Sequence, residues 1–128
     1  MAAFDFAKVK DPTFFKENVL NAHASFRTYA SREEYLAGES SLALKLDGIW
    51  KFAYAKNYTS AIPGFEKTDY DCSGWDDIHV PAHIQMEGYD IPQYANVQYP
   101  WDGREEVQPG EIPQRFNPVA SYVKYFEL

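Results

Sequence analysis

The chain has 128 residues, of which 12 are basic and 19 acidic, giving a formal net charge of −7. This length allows one domain at most, and a hydrophobic fraction of 45% can build a core, which argues against disorder. The acidic balance would repel a phosphate backbone, so the sequence predicts no nucleic-acid partner.

The cysteine content and the N-terminus indicate the compartment. Cys72 is the single cysteine, so no intrachain disulfide can form, and a reducing environment is indicated. The opening residues MAAFDFAKVKD lack the apolar core of a signal peptide, and no apolar run is long enough to cross a bilayer. We expect a cytoplasmic protein with no membrane partner.

Residues 1–38 have weak periodicity and predict an irregular N-terminal arm with short helical turns. Asp11-Pro12 is a possible helix start, because proline is favoured in the first turn of a helix. The phenylalanines that surround it, such as Phe14 and Phe15, cannot be buried by so little structure, so we expect the arm to lie over another surface.

A short helix is predicted at the end of this arm. Ser31 and Glu34 have the spacing of a capping box, in which the hydroxyl and the carboxylate satisfy free amides of the first turn. The helix should run to about Ala37, and Gly38 should end it.

From residue 39 onward the pattern is typical of strands. Leucines alternate with other residues from Leu42 to Leu46, and a second alternating run follows Asp47-Gly48, which is a frequent hairpin turn. We therefore predict a hairpin at this point. The second run would place aromatic side chains on one face: Trp50, Phe52 and Tyr54.

Two further strands complete the predicted set. Residues 76–80 read as a strand that Pro81 closes, because proline cannot donate to a ladder, and residues 121–128 resume the alternation. Residues 102–118 are rich in glycine and proline and predict a long irregular excursion. Four or five strands without substantial helices favour an all-β fold, an antiparallel sandwich that is incomplete, since such sandwiches commonly need about eight strands.

The segment from Ile78 to Trp101 predicts an ordered loop. Three prolines interrupt any helix, and four large aromatic side chains must find packing partners with their polar tips near hydrogen-bonding groups. These side chains are Tyr89, Tyr94, Tyr99 and Trp101. Asn96 lies at the centre of the loop, where its amide could cap a turn or could bind a sugar hydroxyl as both donor and acceptor.

Acidic residues of the excursion are the local candidates for catalysis. Catalysis by paired carboxylates needs two carboxyl groups close together, and Glu105, Glu106 and Glu111 are near in sequence. Adjacent residues in a solvated loop tend to diverge and lack the burial that separates two pKa values. We assign no catalytic residue to this chain.

His79 and His83 have the spacing of a helical metal pair. Pro81 lies between them and prevents the helix that would bring both imidazoles to one side. We therefore assign no metal ligand.

Several motifs in order resemble one known family. The runs DGIWKF, VPAHIQMEGYDIPQYANVQYPWD and NPVASYVKYFEL are similar to the N-terminal sugar-binding domain of the bacterial β-galactosidases of glycoside hydrolase family 2. The resemblance extends from about Asn18 to Leu128. It implies a galactose-binding-like jelly-roll β-sandwich, of which residues 39–128 would be the first part and which would continue beyond Leu128.

The resemblance also implies a function. The family hydrolyses terminal β-D-galactose from β-galactosides such as lactose, with catalytic glutamates in a separate barrel domain, so this chain alone is expected to be inactive. The motif YANVQYP implies that Asn96 hydrogen-bonds the galactosyl unit and that Val97 flanks it. Mg²⁺ and Na⁺ are expected in the full-length enzyme, and a homo-oligomer is expected, with the arm contributing to subunit contacts.

One position departs from the family pattern. Ile84 stands before Gln85 where the family usually has tryptophan, which removes a large packing or stacking surface and leaves the local shape of the site open.

Two other functions stay open at this point. A non-catalytic carbohydrate-binding or subunit-interaction β-sandwich would explain the tyrosines and the missing acid pair, but not an unfinished sheet. Other family 2 activities, β-glucuronidase or β-mannosidase, share the domain, although the YANVQYP run favours a galactosidase.

Overall fold

The computed structural model describes residues 5–93 and 96–128. They form two compact units, one of Pro12–Leu46 and one of Asp47–Leu128 together with the described residues up to Asp11. The boundary between arm and sandwich at residue 38 stays a prediction. In the part of the chain that is described, no helix is long and apolar enough to cross a membrane.

The regular elements are few and short. The helices are a 3-10 helix at Phe6–Lys10, α1 at Arg32–Ala37 and a second 3-10 helix at Tyr58–Ser60. The strands are β1 at Gly48–Ala55, β2 at Asp76–Val80 and β3 at Val119–Val123.

Helix α1 confirms the predicted Ser31 cap, but the Glu34 carboxylate accepts an amide that precedes the helix and not one of its first turn. The Ser31 hydroxyl accepts the Glu34 amide at 3.2 Å, and the Glu34 carboxylate in turn accepts the amide of Ala30 at 3.0 Å. Gly38 ends the helix in the left-handed conformation, with φ of 72°. Glycine adopts this conformation without steric cost, so both ends of the helix follow from the sequence.

The predicted helix start at Asp11-Pro12 was wrong. The first helix ends before this point, and its N-terminus is capped by Asp5, whose carboxylate accepts the Ala7 amide at 3.0 Å. Asp11 is extended, with φ of −90° and ψ of 108°. Residues 12–20 contain no helix, so the extended Asp11 is not the N-cap of a second helix.

The predicted hairpin at Asp47-Gly48 was also wrong. Residues 42–46 are not a strand, and Leu42 and Leu44 are exposed. The sheet has the order β2-β1-β3, so β1 takes its partners from β2 and β3 and not from residues 42–46.

All pairing in this sheet is antiparallel. Trp50 of β1 lies opposite Ile78 of β2, and Phe52 lies opposite Tyr122 of β3. Strand β2 has the predicted bounds and ends before Pro81, which follows a cis peptide bond. The structure confirms an all-β fold with a small antiparallel sheet, whereas the jelly-roll topology stays a prediction.

Strand β3 begins two residues earlier than predicted and ends at Val123 instead of continuing to Leu128. At the next position the Lys124 ammonium donates to the Ile49 carbonyl at 2.8 Å. A side-chain contact therefore links the chain after β3 to β1.

The core lies on one face of the sheet. Phe52 and Ile78 are buried, and the Phe52 ring centroid is 4.5 Å from that of Tyr89 and 4.9 Å from that of Tyr122. Trp50 also contacts Tyr122, and Tyr54 contacts Tyr89. These shared neighbours confirm that the three aromatic residues of β1 lie on one face.

The opposite face carries polar contacts. The Lys51 ammonium is 2.8 Å from the Asp77 carboxylate and also donates to the Trp75 carbonyl at 3.4 Å. The Trp75 ring contacts Phe65 and Tyr70, so the irregular segment between β1 and β2 is held by aromatic contacts. The hydrogen bond from Lys51 attaches this segment to β1.

We predict that Phe52→Ala destabilises the protein by about 3–5 kcal/mol, since it removes a buried ring that joins β1 to β3 and to the following loop. Urea unfolding followed by circular dichroism measures this. Ile49→Ala is the control on the same strand, because Ile49 is 46% exposed and should change the stability by less than about 1 kcal/mol. Equal effects of the two substitutions would contradict the assigned core.

Candidate functional site

The loop after β2 is fastened to the sheet at its start. A turn of backbone hydrogen bonds closes it, with the Tyr89 amide donating to the Ile84 carbonyl at 3.1 Å. The Tyr89 ring packs on Phe52, and its hydroxyl donates to the Asp76 carboxylate at 3.1 Å. Tyr89 thus has the apolar body and the polar tip that the sequence predicted.

Asp90 orders the next residues of the loop. One of its carboxylate oxygens accepts the Ile91 amide at 2.8 Å and the Gln93 side-chain amide at 3.0 Å. Tyr54 of β1 faces the same carboxylate, and burial, followed by the negative charge of Asp90, raises the pKa of the Tyr54 hydroxyl. The entry to the central part of the loop is therefore tied to β1.

Asn96 and Val97 occupy the exposed tip of this loop. Asn96 is in the left-handed conformation, with φ of 54°, and Val97 is 92% exposed. Asparagine enters this conformation more readily than most residues. The preceding Tyr94, for which packing was predicted, lies outside the described residues.

The exit from the tip is a tight turn around Asp102. The Asp102 carboxylate accepts the Tyr99 amide at 3.1 Å, and the Gln98 side-chain amide donates to the Asp102 carbonyl at 2.7 Å. The prediction that Tyr99 packs was wrong, because its side chain is 75% exposed. The turn is held by polar contacts of its neighbours and does not need the Tyr99 ring.

Trp101 is the third residue of this turn, and its indole N–H finds the polar partner that the sequence predicted. Its ring is half-buried, and its indole N–H donates to the Phe116 carbonyl at 2.7 Å. The loop is therefore attached at both ends: through Tyr89 and Asp90 before the tip, and through Asp102 and Trp101 after it.

Glu105 closes the irregular excursion after this turn. Its two carboxylate oxygens accept the amides of Gln114 and Arg115 at 2.8 and 2.9 Å. These hydrogen bonds, with Gln114 the larger contributor, lower the pKa of the Glu105 carboxyl. Sequence reasoning missed this role, because the partners are backbone amides nine and ten residues away that have no side-chain signature.

The remaining candidates are spread over the chain. Glu106 and Glu111 are exposed, His79 is on β2 opposite Ile49, and His83 is exposed in the turn that follows. Among the described residues, no three side chains of the metal-binding types come together, so none is matched to Mg²⁺ or Na⁺. The expectation that these ions belong to a full-length enzyme stays a prediction.

Ile84 lies at the start of the turn that carries Tyr89, and its side chain is half-buried. The backbone of Ile84, the residue that departs from the family pattern, therefore takes part in the turn. Its carbonyl holds the turn whatever side chain is present.

Residues 43–128 match the family model described as glycosyl hydrolases family 2, sugar binding domain. The chain belongs to this family. The match includes the sheet and the whole loop that carries Asn96, which confirms the resemblance seen in the sequence.

Curated relatives of this family agree over nearly the whole chain. The beta-galactosidase of Streptococcus thermophilus is 42% identical over 120 residues, and that of Halalkalibacterium halodurans is 44% identical over 122 residues; each alignment covers 94% of this chain. The beta-galactosidase of Lactobacillus delbrueckii subsp. bulgaricus is 42% identical, and the alignment covers 97% of this chain. The chain spans 12% of the length of each of these relatives.

We predict that Glu105→Gln opens the excursion at neutral pH, because a neutral amide accepts these hydrogen bonds less strongly than a carboxylate. Amide hydrogen exchange at Gln114 and Arg115, corrected for intrinsic rates, should be about fivefold faster. Glu106→Gln, one position along and exposed, is the control and should leave the exchange unchanged.

The same contact predicts a pH dependence. Because the pKa of Glu105 is lower in the folded protein than in the unfolded chain, its stabilising effect is present above the unfolded pKa. It is lost as the pH falls through the folded pKa. Protection of the two amides that persists unchanged in strong acid would contradict the role of the carboxylate.

Proposed function

We propose that this chain is the N-terminal sugar-binding part of a β-galactosidase that hydrolyses terminal β-D-galactose residues of β-galactosides such as lactose. The family match and the names of the curated relatives support this activity. Asn96 and Val97 form the substrate-binding part of this chain, and the catalytic glutamates of a retaining mechanism come from the rest of the enzyme.

The observation that carries this proposal is that the Asn96 side chain is exposed on a loop that the rest of the domain holds in place. Asn96 lies at the tip of this loop, which is anchored on both sides. Among the hydrogen bonds between described residues, none uses the Asn96 amide. An amide held in this way can donate to one sugar hydroxyl and accept from another.

Asn57 is an example of the alternative role, in which an asparagine side chain caps its own turn. Its side-chain oxygen accepts the amide of Ser60 at 2.9 Å and the hydroxyl of the same residue at 2.7 Å, so it caps its own turn. Asn96 has no such contact among the described residues. This difference favours a ligand over turn capping as the partner of the Asn96 amide.

The acidic residues of this chain also support the proposal that the catalytic groups lie elsewhere in the enzyme. Glu105 uses its carboxylate to close a loop, and its lowered pKa is opposite to what a general acid needs. We place the acid and the nucleophile in the remaining domains of the enzyme. The proposal also includes a cytoplasmic location, a homo-oligomer, and Mg²⁺ and Na⁺ bound in the full-length enzyme.

The complete polypeptide that carries this chain should release galactose from o-nitrophenyl β-galactoside. It should be much less active on the corresponding glucuronide and mannoside. A purified chain that binds galactose as a stable monomer, with no hydrolase activity in the complete polypeptide, would instead support a non-catalytic module.

We predict that Asn96→Gly in the complete enzyme lowers kcat/KM for β-galactosides by about 5- to 150-fold, the loss of about 1–3 kcal/mol expected for a hydrogen bond at a desolvated site. Glycine is chosen because it adopts the left-handed backbone conformation without strain, so the substitution removes the Asn96 side chain without a steric conflict in the loop. Steady-state kinetics measures the change.

Asn18→Gly is the matched control. Asn18 has φ of 55°, nearly the value at Asn96, and lies in the other compact unit. The same substitution there should leave kcat/KM unchanged. If Asn96→Gly also leaves kcat/KM unchanged, Asn96 does not contact the substrate.

A further inference from the structure

We propose that Trp101 is a positioning residue for Asn96, whose indole fastens the exit of the loop so that the amide is held ready for the sugar. The inference rests on the proposed function. Trp101 itself touches no substrate in this scheme and acts through the backbone of the four residues that connect it to Asn96.

The first observation is an unusual backbone conformation. Trp101 has φ of 71°, in the left-handed region that glycine and asparagine adopt readily and that bulky residues rarely enter. Such conformations persist only where the surroundings hold them, and they concentrate at functional sites. A tryptophan at this position therefore needs a contact that keeps it there.

The indole supplies one such contact, in addition to the Trp101 carbonyl, which accepts the Arg104 amide at 2.8 Å. The indole N–H donates to the Phe116 carbonyl at 2.7 Å, in a half-buried setting where a lost partner is costly. Phe116 is itself held, because the Arg104 guanidinium lies 4.8 Å from the centre of its ring. The next residue, Asn117, donates its amide to the Lys56 carbonyl at 2.9 Å.

This series of contacts leads back to the sheet. Lys56 follows the last residue of β1, Ala55, which is paired with Val119 at the start of β3. The indole thus ties the exit of the loop to the point where β1 and β3 meet. Since the Tyr89 ring at the entry lies 4.5 Å from that of Phe52 and 6.4 Å from that of Tyr54, both ends of the Asn96 loop are attached to β1.

The turn from Tyr99 to Asp102 connects the anchored indole of Trp101 to the tip that carries Asn96. The Asp102 amide donates to the Tyr99 carbonyl at 3.2 Å, and the Asp102 carboxylate accepts the Tyr99 amide at 3.1 Å. Release of the indole would free this turn as a unit. Asn96 would then sample positions outside the geometry that binds the sugar.

The test is a double-mutant cycle in the complete enzyme. Trp101→Phe keeps an aromatic ring and removes the N–H donor. In the enzyme with Asn96 intact, we expect kcat/KM to fall about 5- to 10-fold. In the Asn96→Gly background, the same substitution should change kcat/KM less than twofold, because no amide is left to position.

Trp75→Phe is the matched control. It makes the same chemical change in a ring that contacts Phe65 and Tyr70, in the segment between β1 and β2. Its effect on kcat/KM should be equal in both backgrounds. Thermal unfolding of each variant separates loss of folded protein from loss of activity.

The possible results distinguish the positioning role of Trp101 from the proposed function. An equal loss for Trp101→Phe in both backgrounds overturns the positioning role and leaves the proposed function intact. A complete enzyme without galactosidase activity overturns the proposed function and this inference with it. If Trp101→Phe does not fold, benzothienylalanine at position 101, in which sulfur replaces the N–H, preserves the shape and gives the same comparison.

Discussion

The packing of Phe52 against Tyr89 is the contact on which the rest of the structure depends. It joins the central strand to the loop after β2, with ring centroids 4.5 Å apart, and it buries the largest side chain of the core. Without it, the sheet would lose a ring that covers its aromatic face, and the loop would keep only its polar contacts and those at its exit. The position of Asn96 is thus a consequence of how β1 is packed.

Beyond the aromatic core, polar contacts order the loop and the excursion. Carboxylates of the loop and the excursion accept backbone amides in succession: Asp90 before the tip, Asp102 after it and Glu105 across the excursion. Glycine- and proline-rich backbone cannot satisfy its amides by regular structure, so side chains do so. In this region, acidic side chains thus stabilise irregular backbone by accepting hydrogen bonds from its amides.

The sequence predicted those parts of the fold that depend on local patterns. The helix between Ser31 and Gly38, strand β2 and the aromatic face of β1 all follow from spacing within a few residues. The hairpin at Asp47-Gly48 failed because its outcome depends on which strands compete for the edges of β1, and this competition is not local. Asn96 could be singled out by its motif, whereas Trp101 and Glu105 could not be assigned roles, because each bonds a backbone group at least nine residues away.

The most direct measurement is a crystal structure of the complete enzyme with galactose bound. We expect the Asn96 amide within about 3.2 Å of a galactosyl hydroxyl, with Val97 beside the sugar and the Trp101 indole still bonded to the Phe116 carbonyl. A sugar bound elsewhere, or an Asn96 side chain turned back to cap its own loop, would contradict the role assigned to this domain.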